Sequence, residues 1–422
     1  MKVTLLPSSI SGTVEAIPSK SFAHRQLICS ALADRETEMV CGSLSDDIRA
    51  TMGCLGSLGA SVDYRDGSVL VGPITSLPAE AFLDCGESGS TYRFLVPLAA
   101  ALGVRARFIL RGRLPERPMG PLWECLEKHS VSISGMGSSE VTISGRLTGR
   151  TFILPGDVSS QFISGLLMSL PLIGGEKRIE IKGKVESAGY INMTAGVLGS
   201  FGIKVCKEGN TITISDGEKY TSPGRTVTEG DWSNSAFWLC GAAASGSEIT
   251  CRGLNPGSSQ GDSAIAGILR NMGADIEWSG SSARVKAAGL KGTEIDAGDI
   301  PDLVPAIAVA ASSAEGVTRI TNAGRLRIKE SDRLFTVADT MRKLGADIEE
   351  GEDSLTVTGV RRLSGGSVDS HGDHRIVMMA AIASLLSEEN ITIGGAEAVN
   401  KSYPGFFEDL ASLGAEVRKE QP

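Results

Sequence analysis

Cationic side chains recur close to the starts of apolar segments along this chain of 422 residues. Lys20 and Arg25 lie in "PSKSFAHR", and Arg117 lies between prolines in "LPERPMGPL". Free N–H groups and the helix dipole favour anions at the start of a helix, and a stiffened guanidinium binds phosphate or carboxylate through two parallel hydrogen bonds. Such cations suit ligands that together bear two phosphates and two carboxylates. The set comprises Lys20, Arg25, Arg117, Lys329, Arg333, Arg375 and Lys401.

Neutral hydrogen-bond donors occupy similar positions in three further motifs. "DCGESGSTYRFL" places Gly89 in a glycine-rich turn before a predicted apolar helix over residues 94–102, where backbone N–H groups can approach a phosphate. "GDVSSQFISGLLM" starts a helix with Ser159, Ser160 and Gln161, and "ESAGYINMT" offers Ser187. Each motif alone is equally well an ordinary helix cap or a solvated surface segment. It is their common placement at helix starts that indicates a site.

Two acidic residues are suited to proton transfer. Asp302 lies in "DIPDLVPAIAVAA" at the start of a very apolar helix, where its carboxylate could cap the helix or act as a general base. Glu330 lies beside Lys329 in "IKESDRL". A run of mixed charges is usually a solvated face, but this run falls at the same place in its segment as the other polar clusters.

Six copies of one unit must position these residues. A segment of apolar helix, Leu-Gly-Ala or a variant of it, and two short strands recurs along the chain, with intervals of 71, 72, 71, 72 and 69 residues. Apolar spacing of 3.6 residues predicts the helix, and alternation after it predicts a β-hairpin. The points taken as equivalent are Gly59, Ser130, Gly202, Gly273, Gly345 and Gly414.

The sixth copy ends at Pro422 after one strand, whereas residues 2–6 form a predicted strand with no helix before it. The N-terminal strand is therefore expected to complete the last unit. Residues 1–12 and 225–422 then form one lobe, completed by that strand, and residues 13–224 form an inserted N-terminal lobe. Two crossings between lobes favour a ligand site in the cleft between them, closed by a hinge.

Composition excludes several classes of function. A net charge of −9 and a pI near 5.2 argue against nucleic acid or an anionic membrane as the main partner. The eight cysteines show neither CxxC pairs nor zinc-ligand spacing, so we expect buried free thiols and no metal site. No apolar run reaches the length of a membrane span, and no signal-peptide pattern begins the chain, so the expected location is the cytoplasm.

Eight segments appear in an order that resembles the EPSP synthase family of enolpyruvyl transferases, and the match covers essentially the whole chain. The resemblance implies a two-lobed, inside-out α/β barrel of six βαβαββ-type repeats, three per lobe. It also implies transfer of the enolpyruvyl group of phosphoenolpyruvate to the 5-hydroxyl of shikimate 3-phosphate, with no cofactor, by a monomer. The segments are "SKSFAHR", "ESGSTYRF", "ERP", "VSSQF", "IPD", "IKESDRL", "DHR" and "NKSYPGFF".

The resemblance assigns roles to individual residues. Asp302 would be the base for the attacking hydroxyl, and Glu330, with Lys20 or Lys401 nearby, would manage the proton delivered to the enol methylene. Residues implied to bind shikimate 3-phosphate are Lys20, Ser21, Arg25, Ser159, Ser160, Gln161, Ser187, Asp302 and Lys329. Residues implied to bind phosphoenolpyruvate are Lys20, Gly89, Arg117, Gln161, Arg333, Arg375 and Lys401.

The chain departs from the family pattern at Glu87 and His24, where Asn is common, and in a longer stretch after Asn322, which receives no role. Two alternatives remain. UDP-N-acetylglucosamine enolpyruvyl transferases share fold and donor, but usually show Lys-Asn where this chain has Lys20-Ser21, and a cysteine in the loop that carries Arg117. A non-catalytic repeat scaffold would have no need of Lys20, Asp302 or Glu330.

Overall fold

The equivalent points of the six repeats share one backbone conformation. In a computed structural model that describes residues 1–286 and 289–420, the five glycines and Ser130 all have positive φ, from 71° to 109°. Each follows a helix and begins the turn into a strand, a position at which the left-handed conformation ends a helix. The repeat in the sequence is therefore also a repeat in backbone conformation, because one residue per copy must adopt a conformation that favours glycine.

The described chain contains twenty-four strands, most of them four to six residues long. Their bounds are β1 Lys2–Leu5, β2 Ser11–Glu15, β3 Thr37–Val40, β4 Ser61–Arg65, β5 Ser68–Gly72, β6 Glu80–Gly86, β7 Arg105–Leu110, β8 Val131–Ser134, β9 Glu140–Gly145, β10 Thr151–Pro155, β11 Lys177–Lys182, β12 Val205–Glu208, β13 Thr211–Ile214, β14 Arg225–Val227, β15 Glu248–Arg252, β16 Asp275–Ser279, β17 Ser282–Lys286, β18 Glu294–Asp296, β19 Val317–Thr321, β20 Asp347–Glu350, β21 Leu355–Thr358, β22 Gly366–Asp369, β23 Ile391–Gly394 and β24 Val417–Glu420.

Twelve α-helices lie between these strands in the described chain, and several are preceded by short 3₁₀ turns. Their bounds are α1 Lys20–Leu32, α2 Asp46–Ser57, α3 Gly89–Leu102, α4 Gly120–Glu127, α5 Ser160–Ser169, α6 Ala188–Ser200, α7 Trp232–Ser245, α8 Ile265–Asn271, α9 Val304–Ser312, α10 Arg333–Lys343, α11 His374–Ala383 and α12 Phe406–Ser412.

Two compact units divide the chain: an inserted unit, residues 18–228, and a discontinuous unit, residues 1–17 with residue 229 onward. Each contains three four-stranded sheets with the same pattern, in which a parallel pair continues into two antiparallel strands. This confirms an α/β fold of six βαβαββ repeats, three per unit. The orders are β14-β3-β5-β4, β6-β7-β9-β8 and β10-β11-β13-β12 in the inserted unit, and β16-β17-β15-β2, β18-β19-β21-β20 and β22-β23-β1-β24 in the discontinuous unit.

The N-terminal strand fills the place that the truncated sixth repeat lacks. β1 pairs antiparallel with β24, with Lys2 opposite Glu420, and also pairs with β23. The units divide at residues 17/18 and 228/229, a few residues beyond the bounds expected from sequence. The difference arises because β2 pairs with β15 of the discontinuous unit, whereas β14 pairs with β3 of the inserted unit. β2 and β14 each precede a crossing between the units. Each strand thus remains in a sheet of the unit that the chain is about to leave.

In each unit the core is formed by helices and the sheets lie outside them. α7, α9 and α11 contact one another, and every residue of α9 and α11 is buried. In the inserted unit α3 and α5 are almost entirely buried in the same way. Because the bodies of these helices are apolar, the polar residues of the motifs lie at their first turns. The fold therefore places the predicted hydrogen-bond donors of these motifs at helix N-termini.

Two other expectations concern the thiols and membranes. Seven of the eight cysteines are buried and all eight are free, but Cys206 is exposed, so the expectation of burial is wrong for that residue. Cys206 lies on β12, whose residues are largely exposed. Across residues 1–286 and 289–420, the structure contains no helix that combines the length and the apolar character needed to cross a membrane.

Candidate active site

The discontinuous unit gathers three cations around one carboxylate. Asp302 Oδ1 accepts hydrogen bonds from Arg333 Nη1 at 2.7 Å and Lys329 Nζ at 3.3 Å, and it lies 3.5 Å from Arg375 Nε. Asp302 belongs to a 3₁₀ turn, Pro301–Leu303, that leads into α9, and its side chain makes no cap bond to the helix. Of the two roles open from the sequence, the geometry does not support the helix cap, and the role of general base stays a prediction.

Arg333 is the buried centre of this cluster. It donates from Nε to Asp373 Oδ2 at 2.9 Å, from Nη2 to Asp373 Oδ1 at 3.2 Å and from Nη2 to Glu330 Oε2 at 2.5 Å. Its side chain is 1% exposed, so these ion pairs are shielded from solvent. Arg333 is the first residue of α10, and Asp373 caps α11 by accepting from the Arg375 N–H. The start of α10 therefore positions Arg333, and the start of α11 positions its partner Asp373.

The cations control the protonation of Asp302. Burial raises the pKa of Asp302, but the positive charges of Arg375, Lys329 and Arg333 outweigh burial and hold this pKa well below its ordinary value. Burial lowers the pKa of Lys329 to about 8, against the opposing effect of Asp302. The free protein therefore carries Asp302 as an anion that is neutralised by its neighbours.

Two further predicted cations lie in the same unit. Arg375 is 5% exposed, and its Nε and Nη1 have no hydrogen-bond partner among the described residues. A buried guanidinium with unused donors is energetically costly unless a ligand satisfies it. Lys401 ends the 3₁₀ helix Ala396–Lys401 and is 8% exposed.

In the inserted unit the first residue of α1 contacts α2. Lys20 Nζ donates to Asp47 Oδ2 at 2.9 Å, and this pair is largely buried. Ser19 occupies the cap position of α1 without a side-chain bond to the helix. The ion pair with Asp47 thus holds the Lys20 side chain at the start of α1.

Arg25 lies deeper than the sequence indicates. It is 2% exposed, and it donates to Thr194 Oγ1 at 2.7 Å, to the Ser21 carbonyl at 2.7 Å, to Ser164 Oγ at 3.2 Å and to the Tyr190 carbonyl at 3.3 Å. Burial lowers its pKa to about 10, which leaves it a cation at neutral pH. Four of its five N–H groups are engaged by α1, α5 and α6, so it can offer at most one to a ligand.

A second group in the inserted unit joins α3 to α5. Arg93 Nη1 donates to Gln161 Oε1 at 2.7 Å, and Gln161 Nε2 donates to Ser90 Oγ at 2.8 Å. Ser159 caps α5 by accepting from the Gln161 N–H. The predicted positions of Ser159, Ser160 and Gln161 at the start of this helix are confirmed.

Gly89 is the first residue of α3, because Ser88 caps the helix by accepting from the Thr91 N–H. The expected helix start at residue 94 is wrong, and Gly89 lies in the helix rather than in a turn before it. Gly89 is not among the glycines with positive φ. A Cβ atom there would lie 2.8 Å from Arg117 Nη1 and 3.3 Å from Arg93 Nη1. The position thus requires space beside two guanidinium groups, not backbone freedom.

Ser187 and the unassigned residues also have defined places. Ser187 precedes α6 with φ of 55° and is buried. His24 accepts or donates a hydrogen bond with Thr51 at 2.7 Å, and burial lowers its pKa to about 3, so it is neutral. Asn322 donates to Asp296 Oδ2 at 2.8 Å. The Glu87 carboxylate lies against Gly112, where an added Cβ would meet it at 2.6 Å.

The structure therefore forms two clusters from the predicted residues, one in each unit. Lys329, Glu330, Arg333, Arg375 and Asp302 are joined directly. In the inserted unit Lys20, Gly89 and Gln161 lie at helix starts, and Arg117, which follows a 3₁₀ turn, lies beside Gly89. Arg93 and Asp373 were missed as site residues, although both fall inside quoted motifs. The signal available was position: Asp373 stands directly before an apolar helix, and Arg93 lies one turn after the cap residue Ser88. That both sets share one cleft stays a prediction.

Comparison of the whole sequence with known families gives one match over nearly its full length. Residues 6–410 match the family described as EPSP synthase (3-phosphoshikimate 1-carboxyvinyltransferase). The 3-phosphoshikimate 1-carboxyvinyltransferase of Clostridium kluyveri is 41% identical over 420 residues, covering 98% of each chain. The enzyme of the same name from Clostridioides difficile is 40% identical, covering 98% of this chain and 97% of the relative.

Solved structures give the same result for the fold. An EPSP synthase from Acinetobacter baumannii aligns with a TM-score of 0.82 and 28% identity, covering 99% of this chain and all of that one. The enolpyruvyl transferase NikO from Streptomyces tendae aligns with a TM-score of 0.80 at 17% identity, over 99% of this chain and 98% of that one. The second likeness concerns the fold alone.

Proposed function

We propose residue roles from the premise that this chain belongs to the EPSP synthase (3-phosphoshikimate 1-carboxyvinyltransferase) family. It transfers the enolpyruvyl group of phosphoenolpyruvate to shikimate 3-phosphate and releases phosphate, a step of the shikimate pathway to aromatic amino acids. The proposal concerns which side chains perform this reaction. The observation that carries it is the carboxylate of Asp302 held among Arg333, Lys329 and Arg375.

Asp302 accepts the proton of the 5-hydroxyl as its oxygen bonds to C2 of phosphoenolpyruvate. Glu330 delivers a proton to the methylene carbon, which gives a tetrahedral ketal. The C–O bond to phosphate then breaks, and the methyl group loses a proton to restore the double bond. Positioned proton transfer contributes about 10²–10⁴-fold to such reactions. Lys20 and Lys401 are the cations proposed to assist this proton transfer.

The cations of the discontinuous unit divide between the substrates. Lys329 binds shikimate 3-phosphate, and Arg333, Arg375 and Lys401 bind phosphoenolpyruvate. Four of the five N–H groups of Arg333 are engaged by Asp302, Glu330 and Asp373, so Arg375 has more donors to offer. Anionic substrates neutralise these cations and thereby raise the pKa of Asp302 toward that of an effective base.

In the inserted unit the donors at helix starts bind the remaining anionic groups, since free N–H groups and the helix dipole favour anions there. Lys20 and Gln161 contact both substrates. Residues proposed to bind shikimate 3-phosphate are Ser21, Arg25, Ser159, Ser160 and Ser187, and residues proposed to bind phosphoenolpyruvate are Gly89 and Arg117.

Gly89→Ala tests the phosphoenolpyruvate assignment in the inserted unit. Its Cβ would displace the end of the Arg117 side chain, while the backbone conformation already suits alanine. Since a hydrogen bond to a charged group is worth about 1.5–3 kcal/mol, the KM for phosphoenolpyruvate should rise about 10- to 100-fold. The melting temperature should be unchanged, and the longer inhibitor glyphosate should lose more affinity than phosphoenolpyruvate. Steady-state kinetics and thermal unfolding measure these effects.

Gly196→Ala is the matched control, because no atom outside the adjacent turns of its own helix lies within 4 Å of a Cβ placed at this helical glycine. It should leave both KM values unchanged. A large fall in the melting temperature of Gly89→Ala, with the inhibition by glyphosate relative to substrate unchanged, would remove Gly89 from the binding site.

We also propose that the enzyme acts as a monomer in the cytoplasm. All the assigned residues come from one chain, and phosphoenolpyruvate is a metabolite of that compartment. Gel filtration at the mass of one chain, 44.0 kDa, tests the first statement.

A further inference from the structure

We infer that Ser233 and Asp262 are positioning residues that hold the Arg375 guanidinium in place for phosphoenolpyruvate. Arg375 Nη2 donates to Ser233 Oγ at 2.7 Å, and Ser233 Oγ in turn donates to Asp262 Oδ2 at 2.6 Å. All three side chains are buried. The hydroxyl thus links a cation assigned to the substrate to a carboxylate that no role assigned so far requires.

Ser233 is the only hydrogen-bond partner of this guanidinium among the described residues. Nε and Nη1 of Arg375 have none, and Asp302 Oδ1 lies 3.5 Å from Nε as an ion pair. The link at Nη2 therefore sets the direction in which the two unused nitrogens point. Without it, the guanidinium is free to turn closer to Asp302, which would cost the substrate a partner.

Two neighbouring elements fix the link. Ser233 is the second residue of α7, whose start is held by the cap residue Asp231 through the Asn234 N–H at 2.7 Å. Asp262 lies in the 3₁₀ turn Gly261–Ala264. Gln260, directly before this turn, accepts from the Trp232 N–H at 3.1 Å and donates to the Gly230 carbonyl at 2.8 Å. The turn and the helix start are thus one assembly.

The charge of Asp262 does not stabilise the fold at neutral pH. Burial raises its pKa to about 6, and the negative charges of Asp302 and Asp231 add to this, against the opposing effects of Arg375 and Ser233. A carboxyl whose pKa is higher in the folded state than in the unfolded state loses stability as the pH rises through this interval, so above pH 6 its charge destabilises the fold. This charge is consistent with the positioning role that the hydrogen bonds from Arg375 to Ser233 and from Ser233 to Asp262 indicate.

The test rests on the proposed function, in which Arg375 binds phosphoenolpyruvate. Ser233→Ala and Asp262→Asn should each raise the KM for phosphoenolpyruvate about tenfold, in the range of one charge-assisted hydrogen bond, while kcat and the KM for shikimate 3-phosphate change little. The double variant should resemble a single one, because both residues act through one chain of contacts. At pH 8, Asp262→Asn should melt at the wild-type temperature or above it. Ser312→Ala removes a buried hydroxyl bonded only within α9 and should change none of these quantities.

Arg375→Gln separates failure of the inference from failure of the proposed function. If Arg375→Gln raises the KM for phosphoenolpyruvate and Ser233→Ala does not, the inference is overturned and the role of Arg375 remains. If Arg375→Gln leaves this KM unchanged, both are overturned. Lower melting temperatures for Ser233→Ala and Asp262→Asn with no selective change in the KM for phosphoenolpyruvate would show a merely structural role. In the Arg375→Gln background, Ser233→Ala should have no further effect on that KM.

Discussion

Asp302→Asn is expected to lower kcat by roughly 10²–10⁴-fold, the usual contribution of a positioned proton-transfer group. The amide retains the shape of the carboxylate but cannot accept the proton of the attacking hydroxyl. Removing its negative charge also leaves Lys329, Arg333 and Arg375 less neutralised. Anionic phosphoenolpyruvate should therefore bind at least as tightly as before. A fall in kcat without a rise in this KM is the expected signature.

Steady-state kinetics with both substrates varied measure this effect, and circular dichroism establishes that the variant is folded. Asp299→Asn is the matched control, since it makes the same chemical change at an exposed residue three positions earlier. It should retain the wild-type kcat. Near-normal turnover in folded Asp302→Asn would remove Asp302 from the mechanism.

Arg333→Met is expected to destabilise the discontinuous unit by about 3–5 kcal/mol, the cost of leaving buried carboxylates without their cation. Asp373 is completely buried and receives two hydrogen bonds from Arg333, while Glu330 and Asp302 receive one each. Methionine fills a similar volume but satisfies none of these acceptors. Arg333→Lys retains the positive charge and should lose less free energy of unfolding. It can therefore be compared with the wild type even if Arg333→Met does not fold.

Tryptophan fluorescence in urea is the suitable measurement, because three of the four tryptophans, Trp232, Trp238 and Trp278, lie in the discontinuous unit. Arg284→Met is the control in the same unit. It breaks ion pairs with Glu248 and Glu277 that are largely exposed, and pairs of this kind contribute little. Equal losses of free energy of unfolding for Arg333→Met and Arg284→Met would mean that the buried network does not stabilise the fold.

Local sequence predicts the helix starts that carry most of the site. Ser159 is the cap residue directly before an apolar helix, and the structure places the start of α5 immediately after it. The left-handed residue of each repeat is likewise a local requirement, which explains why the period of about 71 residues is visible without any structure. Where chemistry depends on a helix end, the sequence is informative because caps and turns are specified by adjacent residues.

Contacts between distant segments are not predictable in this way. Ser233 lies 142 positions from Arg375, and no periodicity relates them. The same limit applies to β2 and β14. The sheet to which each belongs is determined by pairing with β15 and β3, respectively, and not by the residues adjacent in sequence. Gly89 shows a third case, in which a glycine read as a turn residue is helical and makes room for Arg117.

Phosphate release from phosphoenolpyruvate by the wild-type protein tests the central claim most directly. The assay compares shikimate 3-phosphate with UDP-N-acetylglucosamine as the acceptor, under otherwise identical conditions. The prediction is release that requires shikimate 3-phosphate, matched mole for mole by the enolpyruvyl product, and none with UDP-N-acetylglucosamine. Release with UDP-N-acetylglucosamine, or none with either acceptor, would contradict it.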